Sequence, residues 1–67
     1  MDVKVNGELR QVASGISLSQ MLSDLKIAGE GLAIEHNGQF IEDEADRNEL
    51  TLAEGDVLEI VRFVGGG

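Results

Sequence analysis

Apolar residues alternate at the start of the chain, with Met1, Val3 and Val5 set against Asp2 and Lys4, the two-residue period of a strand with one buried face. Asn6-Gly7 follows, a pair suited to a two-residue type I′ hairpin because both residues tolerate positive φ. The return strand, Glu8 to Val12, is less regular. Leu9 and Val12 cannot share one face of an unbroken two-residue period, so an edge strand is predicted, with a bulge as the device that would reconcile them. The period then changes. Leu18, Met21, Leu22 and Leu25 recur at i, i+3, i+4 and i+7, which predicts a helix of about ten residues with one stripe on a core. Ser17 and Gln20 have the spacing of a capping box, Ile16 and Met21 that of a hydrophobic staple, and Gly29 or Gly31 is read as the stop.

Leu32 to His36 reads as a third strand, turned by Asn37-Gly38 into Gln39-Phe40-Ile41. From Glu42 to Asp56 acidic residues dominate, and a loop or short helical turn is predicted that leaves Leu50 and Leu52 touching the core. After the Glu54-Gly55-Asp56 turn comes the longest β-branched run, Val57 to Val64. It is apolar at both parities, Val57, Val61 and Phe63 on one and Leu58, Ile60 and Val64 on the other. That predicts burial on both faces over part of its length, as in a central strand paired parallel to the first. Hairpin, helix, short strands and a long final strand make an α+β chain of the β-grasp type: a mixed sheet with one main helix packed across it. Residues 1–64 would form the domain and 65–67 a flexible glycine tail.

Composition narrows the function. A chain of 67 residues is one small domain. With no cysteine it has no disulfide, no cysteine-held zinc or iron–sulfur cluster and no thiolate nucleophile. The net charge of −8, from 13 acidic and 5 basic residues, argues against nucleic acid and anionic membranes and points to basic proteins as partners. No apolar run approaches the roughly 20 residues that span a bilayer, and the N-terminus lacks the order of a signal peptide, so a cytoplasmic protein is expected. His36 is the only histidine, and no metal-ligand cluster or nucleophile accompanies it; a surface strand position is expected, with no catalytic or metal site. The acidic run lacks the spacing of a calcium loop and reads as a solvated face.

What remains is the end of the chain, Phe63-Val64-Gly65-Gly66-Gly67. Glycine has no Cβ, so such a tail can thread a narrow enzyme channel and present the Gly67 carboxylate for activation as an acyl-adenylate. The competing reading is an unstructured tail or an expression scar. Phe63 is open to two readings, plain core or partner contact.

The motifs together resemble ThiS, the ubiquitin-like sulfur carrier of thiamin thiazole biosynthesis. The resemblance covers essentially the whole chain, through Asn6-Gly7-Glu8, Ser17-Leu18 before Met21-Leu22, Ile34-Glu35-His36-Asn37-Gly38, Glu54-Gly55-Asp56 and, above all, Glu59 to Gly67. Glu42-Asp43 departs from it, since many members carry Pro-Arg there. The resemblance implies a ubiquitin-like fold and a carrier rather than an enzyme, with no bound cofactor. A ThiF-like adenylyltransferase would use ATP to adenylate Gly67, and a sulfur donor system would convert it to a thiocarboxylate that supplies a thiazole synthase. Gly65 and Gly66 would form the threading tail, with Phe63 and Val64 at its root as partner contacts. The small subunit of molybdopterin synthase and carriers of other sulfur pathways share this fold and tail, and a β-grasp interaction module without chemistry would share the fold alone.

Overall fold

The computed structural model describes residues 1–27 and 31–63. Its strands are Asp2–Val5 (β1), Glu8–Gln11 (β2), Leu32–His36 (β3), Gln39–Ile41 (β4) and Val57–Arg62 (β5), with helices Leu18–Asp24 (α1) and Glu44–Glu49 (α2). They make one five-stranded sheet in the order β2-β1-β5-β3-β4. β1 pairs parallel with β5, and every other pairing is antiparallel. The final strand is therefore central and beside the first, as the sequence predicts.

Both hairpins turn on asparagine and glycine with positive φ, Asn6-Gly7 and Asn37-Gly38. β2 is an edge strand, but it carries no bulge. Its register against β1 is unbroken from Val5↔Glu8 to Asp2↔Gln11, and mutual hydrogen bonds between Met1 and Val12 extend it. Leu9 simply points away from the core, 65% exposed, while Val12 packs against it.

Ser17 caps α1 as expected, its hydroxyl accepting from the Gln20 N–H at 3.1 Å. The box is only half built, because the Gln20 side chain donates forward to Asp24 Oδ1 at 2.9 Å. The helix is also shorter than predicted, 7 residues, and no glycine stops it. Lys26 takes φ 60°, its N–H bonds Ser23 O, and the Ile27 N–H bonds Leu22 O, the paired bonds of a Schellman turn. Ile27 packs against the core, and burying it outweighs the cost of a left-handed lysine. Gly31 has a positive φ but lies well past this stop, and Gly29 falls outside the described residues.

Leu18, Met21 and Leu22 meet Val3, Val5, Ile34, Leu58 and Ile60 in the core. Leu52 completes it, held by bonds that join the chain before α1 to the segment after α2: Leu18 N to Leu50 O and Leu52 N to Ile16 O, both 2.9 Å. The expected short helical turn is α2, with Leu50 partly buried behind it. Two-faced burial of β5 is not found. Leu58 and Ile60 are buried, whereas Val57 and Val61 are exposed, because both described helices leave the other face of the sheet uncovered.

β5 is secured from both sides by the turn asparagines. As β1 turns away, the Asn6 side chain continues its ladder, accepting from Ile60 N–H at 2.7 Å and donating to Ile60 O at 3.0 Å. On the other side Asn37 Oδ1 accepts from Val57 N–H at 2.8 Å. The same turn holds His36, which is partly buried where a surface position is expected. Its Nε2 lies 2.7 Å from Oδ2 of the buried Asp56, which also accepts from the Ala53 N–H, while Asn37 Nδ2 donates to Asp56 Oδ1. The histidine thus ties the β3–β4 turn to the loop that starts β5. Burial by itself would raise the Asp56 carboxyl, but the hydrogen bonds from His36, Ala53 and Asn37 outweigh it and hold the carboxyl below its ordinary value.

Two outcomes follow from this geometry. Lys26→Gly relieves a left-handed side chain and should raise stability by about 1 kcal/mol, or the melting temperature by roughly 4–8 °C, in a thermal melt; an unchanged or lower value would show that the Schellman turn is unstrained. Asp56 has a depressed folded pKa, so its contribution is complete above the unfolded value of about 3.9 and is lost as pH falls through the lower folded one. Asp56→Asn should cost about 1–3 kcal/mol in urea melts at about pH 5, and this gap should close towards about pH 2. A gap independent of pH over that range would remove the carboxylate from the account.

Candidate functional site

Among the described residues no three His, Cys, Asp or Glu side chains are placed to hold a metal ion, and no helix is long and apolar enough to cross a membrane. A groove of about 660 Å³ opens between α1, α2 and the start of β3, with Leu22, Ile27, Leu32, Glu42 and Arg47 in its wall. Arg47 Nη2 donates to Leu32 O at 3.3 Å, which ties α2 to β3, and its buried Nε has no partner among the described residues. Among the described residues its lining includes no histidine or cysteine.

The distinctive surface lies along β5 and at its exit. Alternation along that strand puts Leu58 and Ile60 in the core and Val57, Val61 and Phe63 on the uncovered face. Phe63 is 67% exposed, so it is not a core residue. Val61 is 54% exposed and stands opposite Ala33, and Phe40, on β4, is 52% exposed. Large apolar side chains gathered on one face of a small domain mark a surface that another protein can cover.

Within this face Glu35 of β3 stands directly opposite Glu59 of β5, with Phe40 on the far side of Glu35. Like charges directly opposite on a sheet repel. The pair therefore lends the apolar face a negative field, in keeping with the net charge of −8. Beyond Arg62 the β3–β5 ladder runs one step further, with the Phe63 N–H donating to Gly31 O at 2.7 Å. The chain thus leaves the sheet from a fixed point. Val64, Gly65, Gly66 and Gly67, the other residues assigned to the site, lie outside the described residues.

Reading the sequence identified Phe63 but missed Val61, Phe40, the Glu35 and Glu59 pair and the Gly31 partner of Phe63. The signal for Val61 was present. Its parity with Val57 and Phe63 marks one face of β5, and a chain with a single main helix can cover only one face of its sheet.

Comparison with known proteins supplies the context for this surface. The ThiS family matches residues 3–67. The crystal structure of a thiamine biosynthesis protein (ThiS) from Geobacter metallireducens superposes with a TM-score of 0.83 at 37% identity, covering 100% of both chains. A solution NMR structure of a thiamine biosynthesis protein from the same organism gives 0.77 at 36% identity, covering 100% of this chain and 88% of the other. Two curated relatives are thiazole synthases, from Paramagnetospirillum magneticum at 30% identity and Magnetococcus marinus at 33%. Each aligns with 100% of this chain, which spans only 20% of their length. With the match reaching from the third residue to the last glycine and the same fold over its whole length, the chain belongs to the ThiS family.

Proposed function

We propose that this protein carries sulfur as a thiocarboxylate on Gly67. A ThiF-like adenylyltransferase docks on the uncovered sheet face through Phe63, Val61 and the tail root at Val64, and draws Gly65 to Gly67 into its active site. A Gly67 carboxylate oxygen attacks the α-phosphorus of ATP and pyrophosphate leaves, giving the acyl-adenylate. A donor at the oxidation level of sulfide then attacks the acyl carbon, and the C–O bond to AMP breaks. Activation is needed because a carboxylate is a poor electrophile and AMP a good leaving group. ATP is the partner's substrate, since this sequence has no glycine-rich phosphate loop leading into a helix. The thiocarboxylate then supplies a thiazole synthase, and the reaction belongs to the cytoplasm, where ATP and both partners meet.

The observation that carries this reading is the family match running through Gly67, together with an exposed apolar face at the strand that leads to it. The thiazole synthases that contain a segment resembling this whole chain support the synthase as recipient. A carrier and an enzyme joined in one polypeptide meet at high effective concentration.

Deleting Gly67 shortens the tail by roughly 3.3–3.6 Å, far more than in-line attack tolerates, yet leaves every residue of the described core in place. Intact-protein mass spectrometry after incubation with ATP, the activating enzyme and a sulfur donor should show one oxygen exchanged for sulfur on the native chain and none on the truncated one, with equal melting temperatures. Sulfur on the truncated chain at the native rate would sink the carrier reading. Steering by the acidic surface has its own test. On-rates for the activating enzyme should fall as ionic strength rises from about 0.01 M to about 0.15 M, where screening shortens from about 30 Å to about 8 Å; a flat series would exclude long-range attraction.

A further inference from the structure

The junction between β5 and the tail depends on one close backbone approach. Gly31 O accepts the Phe63 N–H at 2.7 Å, and Gly31 takes φ +79°, a conformation that L side chains rarely adopt. A Cβ at Gly31 would stand 2.9 Å from Phe63 O, inside contact distance, and the atom it meets is backbone rather than the end of a pliable side chain. Any other residue at 31 must therefore push the Phe63 peptide away or give up its own backbone conformation. Neither Gly31 nor Phe63 is in the core, so the contact contributes little to holding the fold together.

We infer that Gly31 is a positioning residue for the tail: its bare backbone pins the Phe63 peptide and so fixes the point and direction in which the chain leaves the sheet for the activating enzyme. This rests on the carrier reading above. With the pin broken, the Phe63 backbone has to be fixed each time the tail threads. Fixing one residue's backbone corresponds to a factor of roughly 5–30. The loss belongs in kcat rather than KM, since Val61 and the exposed Phe63 side chain remain available for docking, while a fixed exit for the chain matters for the in-line geometry of attack at Gly67.

The experiment uses the full chain with Gly31→Ala and Gly31→Val, in thiocarboxylate formation by the activating enzyme with ATP and a sulfur donor, alongside amide hydrogen exchange at Phe63 and thermal melts. Gly31→Val should lower kcat by roughly 5–30-fold with KM unchanged, and Phe63 should exchange faster. Gly31→Ala, the milder change, serves if the valine variant does not fold, and should move kcat and exchange in the same direction. Native kcat in a variant whose Phe63 amide has lost protection overturns the positioning role and leaves the carrier reading intact. A Phe63 amide as protected in both variants as in the native chain overturns the pin itself. A rise in KM at constant kcat assigns Gly31 to docking and likewise overturns the inference. If the native chain gains no sulfur, the carrier reading falls and this role falls with it, a result separate from the exchange rates.

Discussion

One layer of helix is all that 67 residues can lay over a five-stranded sheet, and the molecule is organised by that constraint. α1 buries Leu18, Met21 and Leu22 against Val3, Val5, Ile34, Leu58 and Ile60, while α2 has no buried residue. With no cysteine and no metal cluster among the described residues, this aliphatic contact is the main source of stability. Because it covers one face only, every second residue of β5 is left exposed. The exposed face is thus a direct consequence of how small the core is.

Strand order turns that surface into a site. Parallel pairing with β1 and antiparallel pairing with β3 place β5 in the middle of the sheet, so the tail starts from a well-supported element. Two turn residues reinforce it. Asn6 completes the β1 edge of β5 with both side-chain atoms, and Asn37 does the same work on the β3 edge while helping to satisfy Asp56. Hydrogen bonds from His36, Ala53 and Asn37 make a buried carboxylate tolerable where an unpaired one would destabilise the fold. The only histidine of the chain is therefore used to seat the start of the strand whose far end leads to the glycines.

Much of the fold was legible because its signals are local. Asn6-Gly7 and Asn37-Gly38 turn the chain through their own φ preferences, Ser17 caps through its own hydroxyl, and the Leu18, Met21, Leu22 stripe is a matter of helical period. Readings that depended on neighbours distant in sequence were the ones that changed. Gln20 turned to Asp24 instead of the cap, Leu9 needed no bulge because neither described helix covers its face, and Lys26 accepted a left-handed backbone so that Ile27 could reach the core. His36 could not be distinguished from a surface residue until the loop bearing Asp56 was folded against it, 20 residues away in sequence.

By itself the sequence determined the class of fold, the parallel placement of the final strand and the family, since hydrophobic period, turn chemistry and the ordered motifs from Asn6 to Gly67 are properties of residues taken in order. Only the tertiary structure decided which face of β5 is buried, that Phe63 stands outside the core, that Glu35 faces Glu59, and that Gly31 meets the Phe63 backbone. Each of these depends on how many layers cover the sheet or on the register between β3 and β5. Both arise from packing between segments far apart in the chain, which no local period records.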